Sequence, residues 1–244
     1  MSKRYRFELI PTPIYLRIKH LFKKTQFHGN FKNYKEASDK VKGYVTNFSK
    51  HEHLIDPLGT EFDSGHIGIY LGLIKPPISK NVLDWGGGVG TIYYEMRKYH
   101  KANWHIVDLD DVVNYGKRKL QTEHLNFWKS IDTALNNVTP DTIVMNSSLH
   151  YAPDPYNIAK QLASIGSKKI IINRTLIADK HKVLIQRDPG LSNSSCPVTF
   201  IEEKRLLSLF NDYRLIFSFD IGHRDGNLYG KYKHMCYYLE KNKN

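Results

Sequence analysis

The run Val82-Leu83-Asp84-Trp85-Gly86-Gly87-Gly88-Val89-Gly90-Thr91 passes from apolar strand formers into a glycine-rich turn and then into the helical pattern of 92–96. Glycines at a strand-to-helix junction let the backbone adopt left-handed conformations and pass close to a ligand. The following apolar run, 104–107, closes on Asp108, where a carboxylate can accept hydrogen bonds from both hydroxyls of a ribose. A glycine turn with an acid after the next strand is the pattern of a nucleoside site. The plainer reading is a tight turn without ligand beside an ordinary strand-end carboxylate.

Two positions choose between nucleoside chemistries. The dinucleotide pattern G-x-G-x-x-G needs glycine or alanine at 91, where Thr91 stands. Asp84 immediately precedes the turn, where a carboxylate repels a pyrophosphate and favours the ammonium and sulfonium of S-adenosyl-L-methionine. That molecule is the expected cofactor, held by Asp84, Gly86, Gly88, Gly90 and Asp108. In the same topology Ser130 and Ile131, after the third strand, fall near the adenine, and Asn146 and Ser147, ending the fourth, face the reaction centre.

Methyl transfer from a sulfonium is a direct displacement, so the protein must align the acceptor and remove its proton where needed. Three residues at the carboxyl ends of strands are catalytic candidates: His150, Tyr151 and Arg174. An imidazole at 150 has an ordinary pKa suited to taking a proton from a hydroxyl near neutral pH; equally, it bonds backbone or caps a helix. Arg174 either grips a phosphate or carboxylate of the acceptor or pairs with Asp154 or Asp179. Residues 175–200 form a long connection on that same side, with Lys182, Gln186 and Arg187 as polar candidates for acceptor binding; the alternative is a surface insertion without function. Histidines at 28, 51, 53, 66, 150 and 181 show no compact ligand spacing apart from His51 and His53, and no metal is expected.

These residues require a parallel sheet to position them. Apolar runs at 81–85, 104–108, 125–128, 142–146 and 168–173 alternate with helical stretches, which implies right-handed βαβ units with helices on both faces. A helix beginning near Ile201 precedes two strands, 214–220 and 234–239, joined by Asp225-Gly226-Asn227, so the last strand is antiparallel. The expected fold is α/β, a doubly wound, Rossmann-like class I methyltransferase sheet of seven strands with a helical N-terminal cap. The seam is Lys75-Pro76-Pro77-Ile78, dividing a cap at 1–78 from a cofactor-binding domain at 79–244. Within the cap, Pro13 opens an amphipathic helix with Ile14, Ile18, Leu21 and Phe22 on one face and Arg17, His20, Lys23 and Lys24 around it. That face packs on the catalytic domain or lies in a membrane interface. Further helices are expected at 34–42 and at 64–73, the latter capped by Ser64.

Composition sets outer bounds. The 244 residues, 41% of them hydrophobic, suffice for one α/β core with an elaboration. Two cysteines, Cys196 and Cys236, fit a reduced cytoplasm better than a disulfide scaffold. The basic N-terminus has no signal-peptide core, which points to a cytoplasmic protein, at most peripheral to the inner face of the membrane. Lys plus Arg exceed Asp plus Glu by 36 to 24, a formal charge of +12 that favours anionic partners without choosing among them.

The chain resembles a family of bacterial class I methyltransferases encoded among surface-polysaccharide biosynthesis genes, from about Phe27 to Tyr232. The resemblance rests on Phe27-His28-Gly29-Asn30-Phe31 with Glu36-Ala37 and Gly43-Tyr44; Leu83-Asp84-Trp85-Gly86-Gly87; Ser147-Ser148-Leu149-His150-Tyr151 with Asp154-Pro155; Ile172-Asn173-Arg174-Thr175; Gln186; and Cys196-Pro197. The family pattern more often has Gln at 150 and Asp at 173, so a role for His150 is not inherited from it. The resemblance implies O-methylation of a sugar or glycosyl intermediate of a surface polysaccharide, with a small-molecule or glycan acceptor as partner. Two other readings remain open. One is a nucleic-acid methyltransferase, which the charge permits. Asn146-Ser147-Ser148-Leu149 lacks the Pro-Pro-aromatic tetrapeptide of base-amino methylases, so no stable nucleic-acid partner is expected. The other is a catalytically inactive scaffold at a membrane. Oligomeric state is not assigned.

Overall fold

The computed structural model describes residues 27–41, 63–188, 194–222 and 232–243. The helix expected from Pro13, the histidines at 51 and 53 and the turn at 225–227 lie outside them. Short β-branched and aromatic runs with little polar alternation form strands buried on both faces. They are β2 (Asn81–Trp85), β3 (Asn103–Val107), β4 (Leu125–Trp128), β5 (Thr142–Asn146) and β6 (Lys169–Ala178), with β1 (Phe27–Phe31) preceding them in the chain. β2 pairs in parallel with both β3 and β5, β3 with β4, and β5 with β6.

At the far side of β6, β10 (Lys233–Lys241) runs antiparallel, and β9 (Tyr213–Asp220) pairs antiparallel with β10. The resulting order is β4-β3-β2-β5-β6-β10-β9, with only β10 reversed. Strand order turns back between β2 and β5, and in such sheets the crevice for a ligand opens beyond the carboxyl ends at that point.

Residues 175–200 are not a loop. β6 continues to Ala178, and β7 (Lys182–Asp188) pairs antiparallel with β8 (Ser194–Glu202), while β1 adds to the outer edge of β7. Period-two alternation drives this ribbon. Leu184, Val198 and Phe200 join Phe27, Leu176 and Tyr232 in one apolar cluster, and Val183 and Ile185 join Ala37 in another. The helix expected near Ile201 begins two residues later, as α7 (Glu203–Leu207), because Ile201 and Glu202 pair with Ile177 and Ala178.

Helices cover the sheet: α1 (Tyr34–Ser38), α2 (Ile67–Ile74), α3 (Thr91–Met96), α4 (Asp110–Lys119), α5 (Ile131–Leu135) and α6 (Pro155–Ser164). α1 is shorter than expected and is capped by Asn33, whose side chain accepts from the Glu36 N–H. A 3-10 turn, Ser64–His66, leads into α2, and its cap is Asp63 rather than Ser64, because Asp63 Oδ1 accepts the Gly65 N–H at 2.8 Å.

α2 lies against the sheet, where Ile69 and Leu73 share a core with Val82, Val144, Ile171 and Tyr238. A Cβ at Gly72 would come within 2.7 Å of Ile171 Cδ1, so glycine lets the helix approach the sheet without displacing that side chain. The buried Lys169 secures the helix end, its Nζ donating to the carbonyls of Gly72 (2.9 Å) and Lys75 (2.5 Å). Burial pulls the Lys169 pKa down to about 8. No described helix is long and apolar enough to cross a membrane.

Candidate active site

The glycine turn leaves β2 with Gly86, Gly88 and Gly90 at φ of +70°, +60° and +85°, a region that strongly favours glycine. The Gly86 N–H donates to Val107 O and the Gly90 N–H to Gly87 O, which closes the turn over the end of β3. At Gly88 an added Cβ would meet no atom within 4 Å, so the turn's outer surface is open to a ligand. The Asp108 carboxylate braces it, accepting the N–H groups of Gly88 (2.8 Å) and Leu109 (2.7 Å). Burial raises its pKa, opposed by those two donors. Each oxygen retains lone-pair capacity for a hydroxyl.

Asp84 is fully buried beneath the turn; a Cβ at Gly87 would lie 2.6 Å from its carboxyl carbon. Trp104 Nε1 donates to Oδ2 at 3.0 Å, and Oδ1 has no partner among the described residues. Burial pushes the pKa to about 7; the Trp104 bond opposes this and nearby Asp108 adds to it. A buried carboxylate oxygen without a donor is costly, and a cation beside it would remove the cost.

Ser130 and Ile131 serve the end of β4. Ser130 caps α5 in a capping box with Thr133, and Ile131 is buried in the core. The Ser130 hydroxyl is therefore engaged locally.

At the ends of β5 and β6 the strands are locked together. Ser147, at φ +53°, donates its N–H to Asn173 O, and Asn173 Nδ2 donates to Asn146 Oδ1 (2.8 Å) and Gly65 O (2.9 Å). Ser148 Oγ donates to Trp85 O at 2.7 Å, holding this rim against the glycine turn. Arg174, at φ +49°, is ion-paired with Asp63, a partner other than the two expected from sequence. Burial raises the Asp63 carboxyl, but the Gly65 N–H and the Arg174 guanidinium outweigh it and hold it below the usual range.

His150 is 1% exposed, its ring 4.2 Å from that of Tyr151, and its Nδ1 lacks a partner among the described residues. Burial, with His234 nearby, lowers its pKa to about 3. The expectation of a base tuned to neutral pH therefore fails: so weakly basic a ring is a poor proton acceptor. Tyr151 OH donates to Gln186 Oε1 at 2.8 Å, joining two sequence candidates, whereas Lys182 and Arg187 lie exposed on β7.

Sequence reasoning missed one pair. His66 Nδ1 lies 2.8 Å from Glu95 Oε2, both nearly inaccessible, and His66 Nε2 is 3.4 Å from Asn146 Nδ2. The available signal was Glu95, an acid set among the apolar residues of α3. Among the described residues no group of side chains is arranged to hold a metal ion.

Sheet order, glycine turn and strand-end acid define the class I methyltransferase fold. No family model and no curated protein matches the sequence. Solved structures are similar in fold. An S-adenosylmethionine-dependent methyltransferase from Clostridium acetobutylicum ATCC 824 is 13% identical, with 80% of this chain and 99% of that one covered and a TM-score of 0.54. The N-terminal domain of EvdMO1, crystallised in the presence of SAH and D-fucose, is 10% identical over 80% and 96%, with a TM-score of 0.53. Magnesium protoporphyrin IX methyltransferase (ChlM) from Synechocystis PCC 6803, with bound SAM, is 15% identical over 81% and 92%, with a TM-score of 0.51. At such identities the likeness establishes the fold.

Proposed function

We propose that the protein is an S-adenosylmethionine-dependent methyltransferase that methylates a hydroxyl of a sugar or glycosyl intermediate. The observation that carries the cofactor is Asp84 Oδ1, a buried carboxylate oxygen without a donor beneath a glycine turn whose outer face is open. A ligand with an ammonium and a sulfonium fits this donor set, and a pyrophosphate does not. Asp84 with Gly86, Gly88 and Gly90 would hold the amino-acid portion, Asp108 the ribose, and the Ser130-Ile131 backbone the adenine edge. Asn146 and Ser147 would border the methyl group. Bound there, S-adenosylmethionine supplies an electrophilic methyl carbon; the chain supplies alignment and proton removal.

The acceptor side is assigned to Tyr151, Gln186 and Arg174, with the β7-β8 ribbon as its wall and His150 behind Tyr151. Arg174 grips an acceptor anion only by exchanging Asp63 for it. The sugar is supported by the family resemblance and by the D-fucose present with the EvdMO1 domain. The test is calorimetric binding of S-adenosylhomocysteine, with NAD(H) as control, to the wild type and to Asp108→Ala. Micromolar binding of the former alone, weakened tenfold or more in the variant (about 1.4 kcal/mol or more), is expected; absence of binding by folded protein rejects the proposal.

A further inference from the structure

The carboxyl-end rim of the sheet carries an imidazole and carboxylate pair that the glycine-turn motif does not account for. Glu95 sits on α3, the helix that leaves the turn, and is 2% exposed; its two oxygens take the Asp63 N–H at 2.9 Å and His66 Nδ1 at 2.8 Å. A carboxylate accepts, so the tautomer that fits this bond carries its hydrogen on Nδ1 and its lone pair on Nε2. Nε2 faces the end of β5, and its described neighbour there, Asn146 Nδ2, is at the long distance of 3.4 Å.

One ring nitrogen of His66 is anchored on Glu95, and the other takes a single long bond from Asn146 Nδ2. Beside it Asn173 is wholly buried, and among the described residues its Oδ1 has no donor although its Nδ2 has two acceptors. Among the described residues Asn173 Oδ1 therefore lacks a donor, and His66 Nε2 is held only by the long bond from Asn146 Nδ2. Ser147 and Arg174, next in chain to Asn146 and Asn173, hold left-handed backbone conformations that cost about 1–3 kcal/mol each and concentrate at ligand sites. The charged groups around the ring are Glu95 from α3, Asp63 from the segment before α2, and Arg174 from β6, paired with Asp63.

We propose that His66 is the proton acceptor of the methyl transfer, with Glu95 as its positioning residue, and that the acceptor atom is a hydroxyl oxygen. The inference rests on the methyltransferase reading. The hydroxyl oxygen forms the new bond to the methyl carbon, and the carbon–sulfur bond breaks with its electron pair left on sulfur. The hydroxyl proton passes to His66 Nε2. The imidazolium so formed is compensated by Glu95 and returns its proton to water after the product leaves. An orienting carboxylate of this kind fixes the tautomer and stabilises the charged ring.

Two readouts on the full chain test this without a known acceptor. Imidazole nitrogen NMR, with the His66 signals assigned by their loss in His66→Gln, should show hydrogen on Nδ1 and a bare Nε2 at pH 8. In Glu95→Gln, whose amide can donate as well as accept, that tautomer preference should be lost, with hydrogen appearing on Nε2 as well. Carbethoxylation by diethylpyrocarbonate, followed by mass spectrometry, should modify His66, and saturating S-adenosylhomocysteine should slow that modification by about tenfold or more. A hydrogen on Nε2 overturns the proposal. So does a His66 that is inert to the reagent, or equally reactive with and without S-adenosylhomocysteine, in protein shown by calorimetry to bind it. Failure of the calorimetric binding itself would instead remove the methyltransferase reading beneath it. The carbethoxylation readout uses the wild-type protein alone, so it survives if His66→Gln does not fold.

Discussion

Asp84 concentrates the chemistry of this fold in one side chain. Its carboxyl is moved from an ordinary value near 3.8 to about 7, chiefly by burial. The folded chain thus retains a proton that the unfolded chain releases between those values. This contribution to stability is fully present below about pH 4 and is lost as pH rises toward 7, because ionisation in the folded state is opposed. Asp84→Asn removes the slope. Urea titrations should find the variant more stable than wild type at pH 8 by on the order of 1–4 kcal/mol and no more stable at pH 4. The same variant should lose S-adenosylhomocysteine affinity, since no anion remains to face the ammonium. Equal stability differences at the two pH values would show that the carboxyl is not held protonated by burial.

Among the elements, α2 decides most about the site, because the turn that begins it delivers Asp63, Gly65 and His66 to the rim. Its seat is set by the close approach at Gly72 and by Lys169, whose ammonium satisfies two carbonyls at the helix end. A Lys169→Met variant fills similar volume but leaves both carbonyls without a donor. It should cost about 2–4 kcal/mol in denaturant unfolding. A loss below about 0.5 kcal/mol would mean that water serves those carbonyls equally well. The β7-β8 ribbon makes the complementary point. Lys182-Val183-Leu184-Ile185-Gln186 reads as a strand in isolation, yet the expected loop length hid it, since the strand needs β8 and the distant β1 as partners.

For the whole molecule, the seam at Lys75-Pro76-Pro77-Ile78 separates segments that share one core, since Ile69 and Leu73 pack with Val82, Ile171 and Tyr238. Urea unfolding of the full chain, followed by near-ultraviolet and far-ultraviolet dichroism, should therefore give coincident transitions for α2 and the sheet. A chain beginning at residue 79 should lack a cooperative transition, and a sharp one would make the cap dispensable. The sequence by itself determined the alternation of strand and helix, the succession of five parallel units along the chain, and the strand, turn and acid of Asp84, the glycines and Asp108. These are set by local periodicity and by backbone conformations that only nearby residues govern. The pairs His66 with Glu95, Asp63 with Arg174 and Asn146 with Asn173, and the enclosure that makes His150 so weak a base, belong to the tertiary structure alone. Each joins or buries residues far apart in the chain, and a side chain's proton affinity depends on the neighbours and the solvent that folding leaves around it.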